Sequence, residues 1–142
     1  MCPERSTHVR TVSALTLDGA KAMAVAAERF AAERGWTVAV AVVDAGGGLI
    51  LFHCLDETQA GSREIAVLKA RTAALLHRPT KALEDGISGG RTALLTIPGT
   101  VALEGGLPVR VRGAVIGGIG VSGMASPQDG EVAAAGLAAL ES

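Results

Sequence analysis

Aromatic rings are scarce in this chain: Phe30, Trp36 and Phe52 are the whole complement, and tyrosine is absent. Base-stacking platforms and aromatic ligand cages are built from such rings, so neither kind of site is expected. Cysteine is equally sparse. Cys2 and Cys54 form neither a CxxC pair nor a zinc-ligand spacing, which excludes a disulfide framework and a structural zinc site. Net charge is nearly absent as well. Thirteen basic against fourteen acidic residues leave −1 at pH 7, without the positive field that a phosphate backbone needs, so nucleic acid is not an expected partner. No apolar run approaches the ~18 residues of a membrane-spanning helix. The opening segment carries Pro3, Glu4, Arg5 and His8 and lacks the apolar core of a secretory signal. A cytoplasmic protein with no membrane partner is the expectation.

What the sequence has is core. Hydrophobic residues make up 49% of the chain against 19% charged, with a mean hydropathy of +0.38, which excludes a disordered polymer. A length of 142 residues suits one domain. The expected organisation is a tail over 1–13 and a single domain over 14–142.

Local patterns outline the elements. Thr16 is placed to cap a helix in which Ala20, Met23, Ala24, Ala27, Phe30 and Ala31 recur at helical spacing, until Gly35 offers a left-handed end. From Thr37 to Val43 every residue is β-branched or alanine. Asp44 to Gly48 then turns the chain into a second apolar run, Leu49 to Leu55, which predicts a hairpin. Both faces of its first strand are apolar, so helices are expected on both sides of the sheet. Ser62 is read as the cap of a helix bearing Ile65, Leu68, Thr72, Leu75 and Leu76, ended by Pro79. A short helix over Thr80 to Ile87 and a short strand over Ala93 to Ile97 follow. Val109 and Val111 then alternate with arginines before Gly113 turns the chain into an apolar strand, Ala114 to Val121. Last, Ser126 and Asp129 have capping-box spacing with Pro127 between them, opening a helix to Leu140. This order contains five strands.

Several residues carry possible chemistry. Gly118 to Gly123 spells GxGxxG between a strand and a helix, but the dinucleotide fingerprint needs a further strand with an acidic residue, and the sequence stops at Ser142. Two readings remain for that turn: an anion site on backbone amides, or ordinary capping. Lys69 projects from the apolar stripe of its helix, so its ammonium either pairs with the isolated carboxylate of Asp44 or snorkels to the helix edge. His53 and Cys54 alternate onto opposite strand faces. Either could ligate iron, or they are an edge histidine and a buried thiol. His77 lies at a helix end, where its default role is structural.

The stretches Val42 to Gly48, Lys69 to Ala73, Gly105 to Pro108 and Ile116 to Gly123 leading into Gln128 and Asp129 closely resemble the GlcG/HbpS family, over about residues 14 to 140. Cys54 to Glu57 departs from the family's usual Arg-Met-Asp-Gly. The resemblance implies an α+β, profilin-like fold: a five-stranded antiparallel sheet between helical layers, usually in a homo-oligomer. Relatives include heme-binding proteins, one of them fused to a corrinoid adenosyltransferase, and a glycolate-operon protein. The function it implies is an oligomeric small-molecule binder with heme as the leading ligand; if heme is bound, the strand residues His53 or Cys54 are the expected iron ligands rather than His77. Gly105, Gly106, Pro108, Ser122, Gly123 and Arg63 are the ligand-binding candidates. The alternative is a small catabolic lyase or isomerase acting on an aromatic or hydroxy acid, with Lys69, His53 and Asp44 as its catalytic candidates.

Overall fold

The computed structural model describes residues 7–141; Cys2 and the tail's first residues lie outside them. The elements are α1 (Leu17–Glu33), β1 (Ala39–Asp44), β2 (Leu49–Cys54), α2 (Ser62–Leu76), α3 (Thr80–Ser88), a 3-10 helix (Thr92–Thr96), β3 (Gly106–Val111), β4 (Ala114–Ser122) and α4 (Ser126–Ala138). The strands form one antiparallel sheet in the order β2-β1-β4-β3. One face packs on α2, and α1 with α4 covers the other, as the two apolar faces of β1 require.

Among the described residues the sheet has four strands, not five. Ala93 to Ile97, read as a strand, closes on itself instead: the Leu94 amide bonds the Arg91 carbonyl and the Thr96 hydroxyl donates to the Ala93 carbonyl at 2.7 Å. Bonds three residues apart consume the groups that a sheet ladder would have used.

Two helix starts also differ from their capping patterns. Ser62 is not a cap, because Gly61 holds that position and the Ser62 hydroxyl accepts from the Gln59 amide at 3.0 Å. At α4 the box is displaced by one residue. Ala125 precedes the helix, and its amide donates to Gln128 Oε1 at 3.1 Å, which frees Asp129 to turn inward. Thr16 does cap α1, its hydroxyl accepting from the Gly19 amide at 3.0 Å, and Gly35 takes the left-handed conformation at φ +69°. α2 stops at Leu76. His77 is itself the left-handed cap at φ 57°, and its carbonyl accepts from the Arg110 guanidinium.

The glycines of β4 explain why α2 can lie so close to the sheet. A Cβ at Gly118 would stand 2.4 Å from the Ala70 carbonyl oxygen, and one at Gly120 would stand 2.1 Å from that of Ala66. These neighbours are helix backbone, which cannot rotate away. The matching surface of α2 is Ala66, Ala70, Ala73 and Ala74. The GxGxxG pattern therefore serves helix–sheet packing, the small residues of both partners letting two backbones meet.

Gly120→Ala should therefore lose ~3 kcal/mol or more in urea unfolding, since overpacking against rigid backbone is not relieved by a rotamer change. Gly61→Ala is the control: its backbone is already helical and nothing lies within 4 Å of its Cβ. A gain of ~0.4–1 kcal/mol is expected there. Equal losses in the two variants would refute the close-approach account.

Candidate functional site

Lys69 sits on the sheet-facing side of α2 among small residues and is 1% exposed. Its ammonium donates to the Val121 carbonyl at 3.0 Å and to Asp129 Oδ2 at 3.1 Å. The other carboxylate oxygen of Asp129 accepts the Met124 amide at 2.9 Å. One buried ion pair thus ties α2 to the end of β4 and the first turn of α4. Gly105, at φ +134°, passes directly over it: a Cβ there would lie 2.8 Å from the Lys69 nitrogen and 2.5 Å from the Val121 oxygen. Two threonines hold the same loop. Thr72 Oγ1 accepts the Val101 amide at 3.0 Å, and Thr80 Oγ1 accepts the Gly106 amide at 2.9 Å.

Burial pushes the Asp129 carboxyl up from its ordinary value of 3.8, opposed by the Met124 amide, by Lys69 and by the Gly123 amide. This carboxylate also occupies the place where the sequence suggested an anion on the turn's amides. The protein supplies its own anion.

The pairing of Lys69 with Asp44 is overturned, and topology gives the reason. Ala39 lies opposite Ser122, whereas Asp44 lies opposite Gly117, so Asp44 stands at the other end of the sheet from the ammonium. Its Oδ1 accepts the Gly46 and Gly48 amides at 2.9 and 2.8 Å, closing the hairpin turn. Snorkelling is overturned too, because Lys69 is sealed inside. Asp129 was missed because it passed for a capping residue. The signal was present: Asp129, Val132, Ala133 and Gly136 form one buried helical stripe.

His53 and Cys54 do face opposite ways. Cys54 stands with Phe52 on the α2 side beside Val67, its thiol directed at the Leu55 carbonyl at 3.7 Å. His53 lies on the α1 side, where Nδ1 meets Glu28 Oε1. The imidazole is 45% exposed and the carboxylate 25%. Glu28, which sequence reading missed, follows the buried Ala24 by four residues and Ala27 by one, on the border of the apolar stripe of α1. With the proton on Nδ1, a hydrogen bond to the Glu28 carboxylate fixes the ring and leaves the Nε2 lone pair for another partner.

The remaining candidates are dispersed. Gly105, Gly106, Ser122 and Gly123 gather around the Lys69–Asp129 pair, all buried or nearly so. Pro108 lines a groove of about 350 Å³ with Pro79, Leu107, Leu137 and Leu140. Arg63 is exposed at the start of α2. Lys69, His53 and Asp44 are not brought together. Among the described residues, no three His, Cys, Asp or Glu side chains cluster to hold a metal ion, and no helix is long and apolar enough to cross a membrane.

Comparison with known proteins matches residues 15–138 to the family model described as haem degrading protein HbpS-like. The chain is similar to protein GlcG of Escherichia coli strain K12, with 41% identity over 114 residues covering 80% of this chain and 85% of GlcG. A double mutant of Streptomyces reticuli HbpS superposes at TM-score 0.88 with 36% identity, covering 99% of this chain and 96% of that one. The PduOC:heme complex superposes at TM-score 0.81 with 30% identity, covering 89% of this chain and 95% of that one.

Lys69→Met and Asp129→Asn should each cost ~3–5 kcal/mol, and the double variant less than their sum, because each single change strands a buried polar group. Additive losses below ~1 kcal/mol would mean that the pair is not buried in solution. The pH dependence has a definite sign. With the folded carboxyl above 3.8, the folded state binds its proton more readily than the unfolded chain. That contribution to stability is complete below 3.8 and is lost as pH rises through the folded value. Wild-type stability minus that of Asp129→Asn should fall across this window, whereas a rise would mean that Lys69 outweighs desolvation.

Proposed function

The chain belongs to the HbpS-like family, and from that membership we propose that it is a heme-binding protein that works as a homo-oligomer, with His53 as the iron ligand. The observation that carries this reading is the His53–Glu28 pair. A carboxylate on Nδ1 orients the imidazole, which is 45% exposed, and leaves Nε2 as the ligating nitrogen, which is the arrangement that metal-ligating histidines use. The residues present therefore fit an axial ligand. Heme, when bound, supplies the redox-active iron, and the chain supplies the ligand and its carboxylate. The description of the family model and the heme complex of PduOC support the choice of ligand.

Cys54 is a poorer candidate because it is half-buried against α2. His77 terminates a helix, and its own backbone is engaged by Arg110. The catabolic-enzyme reading needs acid and base groups in one place. Its three candidates stand apart, with Lys69 sealed and Asp44 closing a turn, so the geometry favours binding over acid–base chemistry.

Titration with hemin, followed at the Soret band, tests the assignment. Wild type, Cys54→Ala and His77→Ala should give the same shift, and His53→Ala should lose it. Glu28→Gln should bind ~10-fold more weakly, the usual loss for an outer-shell partner. A full shift in His53→Ala would move the iron elsewhere, and no shift in wild type would remove heme altogether.

A further inference from the structure

The two edges of the sheet are finished in opposite ways. At β3 the ladder begins with the Val121 amide bonded to the Gly105 carbonyl. By alternation the backbone groups of Gly106 and Pro108 point outward. All but the Pro108 carbonyl are disposed of. Thr80 Oγ1 takes the Gly106 amide at 2.9 Å and approaches its carbonyl at 3.4 Å. Pro108 has no N–H to offer, and the ladder slips between Val109 and Arg110. Blocked groups, proline, a bulge and a charged residue are the devices that keep an edge from pairing.

β2 has none of them on its central residues. Its ladder is fixed by the Leu55 amide on the Val38 carbonyl, so His53 and Leu51 bond toward β1, and the N–H and C=O groups of Phe52 and Cys54 turn away from it. The strand Leu49–Cys54 reads LILFHC, with no proline, lysine, arginine or acid. Its one irregularity lies opposite Val42 and Val43, beyond Phe52. Leu49 is 54% exposed, and Phe52 and Val67 are only partly covered on the α2 side. An uncharged, apolar strand with unpaired backbone groups is a surface that a native protein covers.

We propose that the edge of β2 pairs antiparallel with the β2 edge of a second copy about a two-fold axis, joining the two sheets into one. The inference rests on the self-association proposed above and names the surface responsible. A second copy is the occupant because an antiparallel edge is its own complement: the outward donors and acceptors of Phe52 and Cys54 meet the same groups reversed. Extension of the sheet stops at two copies. The other edge of the sheet is closed, so β2 cannot add head-to-tail onto β3 of a further chain.

Phe52→Pro tests this by removing one outward N–H without removing any bond to β1. Light scattering at micromolar concentration should give wild type at least twice the 14.3 kDa chain mass, and Phe52→Pro half the wild-type value or less. Amide exchange supplies a second readout that does not depend on the variant folding. In wild type the amides of Phe52 and Cys54 should exchange at least ~100-fold more slowly than in an open edge, and dilution should release them. The Arg110 amide should stay fast. Protected Val40 and Val42 amides certify that Phe52→Pro is folded. An oligomer whose Phe52 and Cys54 amides exchange freely, or a folded Phe52→Pro with wild-type mass, overturns the edge assignment alone. A wild type of 14.3 kDa overturns self-association as well and leaves the heme assignment standing.

Discussion

α2 lies on the glycines of β4 with nothing larger than alanine at the centre of their interface, and most of the molecule's other features follow from that closeness. Glycine on the strand and alanine on the helix bring carbonyl oxygens of α2 within about a Cβ's reach of the sheet. At such a separation there is no room for a large apolar side chain at the centre of the interface. The one long side chain on this face, Lys69, runs to the end of the strand and finds its partners there: the Val121 carbonyl and the Asp129 carboxylate. Removing two charges from water costs several kcal/mol per ion, which their mutual attraction only partly repays. The pair therefore adds less to net stability than to selection. It admits the one arrangement in which α2, β4, α4 and the Gly105 loop meet, and it makes any other register leave a charge uncompensated.

That selection uses up the interior. The ammonium, the carboxylate and the amides around them satisfy one another, and Gly105 closes over them without space for a side chain. A ligand entering there would have to break a buried pair, at a cost that a small molecule's few contacts cannot repay. Chemistry available to an outside molecule lies instead at the margins of the sheet, where side chains are tethered but not enclosed. His53 is the clearest case. Its ring is held by Glu28 and is 45% exposed, so it is oriented and still accessible.

The legible part of the fold was what depends on neighbours in sequence. The cap at Thr16, the glycine that ends α1, the β1–β2 hairpin and the helices on both faces are all set by spacing and turn chemistry within a few residues. The misread parts depend on partners far along the chain. Ala93 to Ile97 has the composition of a strand but joins no edge of the sheet, because its backbone groups are taken up within the 3-10 turn. Asp129 passed for a helix cap because capping is the commonest use of an acid at that position, and only the approach of α2 turns it into a counter-ion. Asp44 failed as the partner of Lys69 for the complementary reason. Its isolation in an apolar strand was visible, but whether it shares an end of the sheet with Lys69 is decided by the pairing of β1 with β4. Sequence showed which charges were anomalous and could not show which anomalies met.

The same distinction separates the two edges. A strand covered on both faces by helices still has two sides along which backbone groups are free, and apolar composition alone does not say which side is closed. In this sheet Thr80 does the closing at β3, a residue far in sequence from the strand it caps and unremarkable until its hydroxyl is seen to take both backbone groups of Gly106. With one edge finished internally, the unsatisfied groups and the partly exposed apolar side chains collect on β2, the strand that also carries His53. With an oriented imidazole and an open edge on one strand, self-association through that edge would be physically coupled to ligand access at His53. Whatever covers the edge of β2 also sets the walls within which the free nitrogen of His53 can be reached.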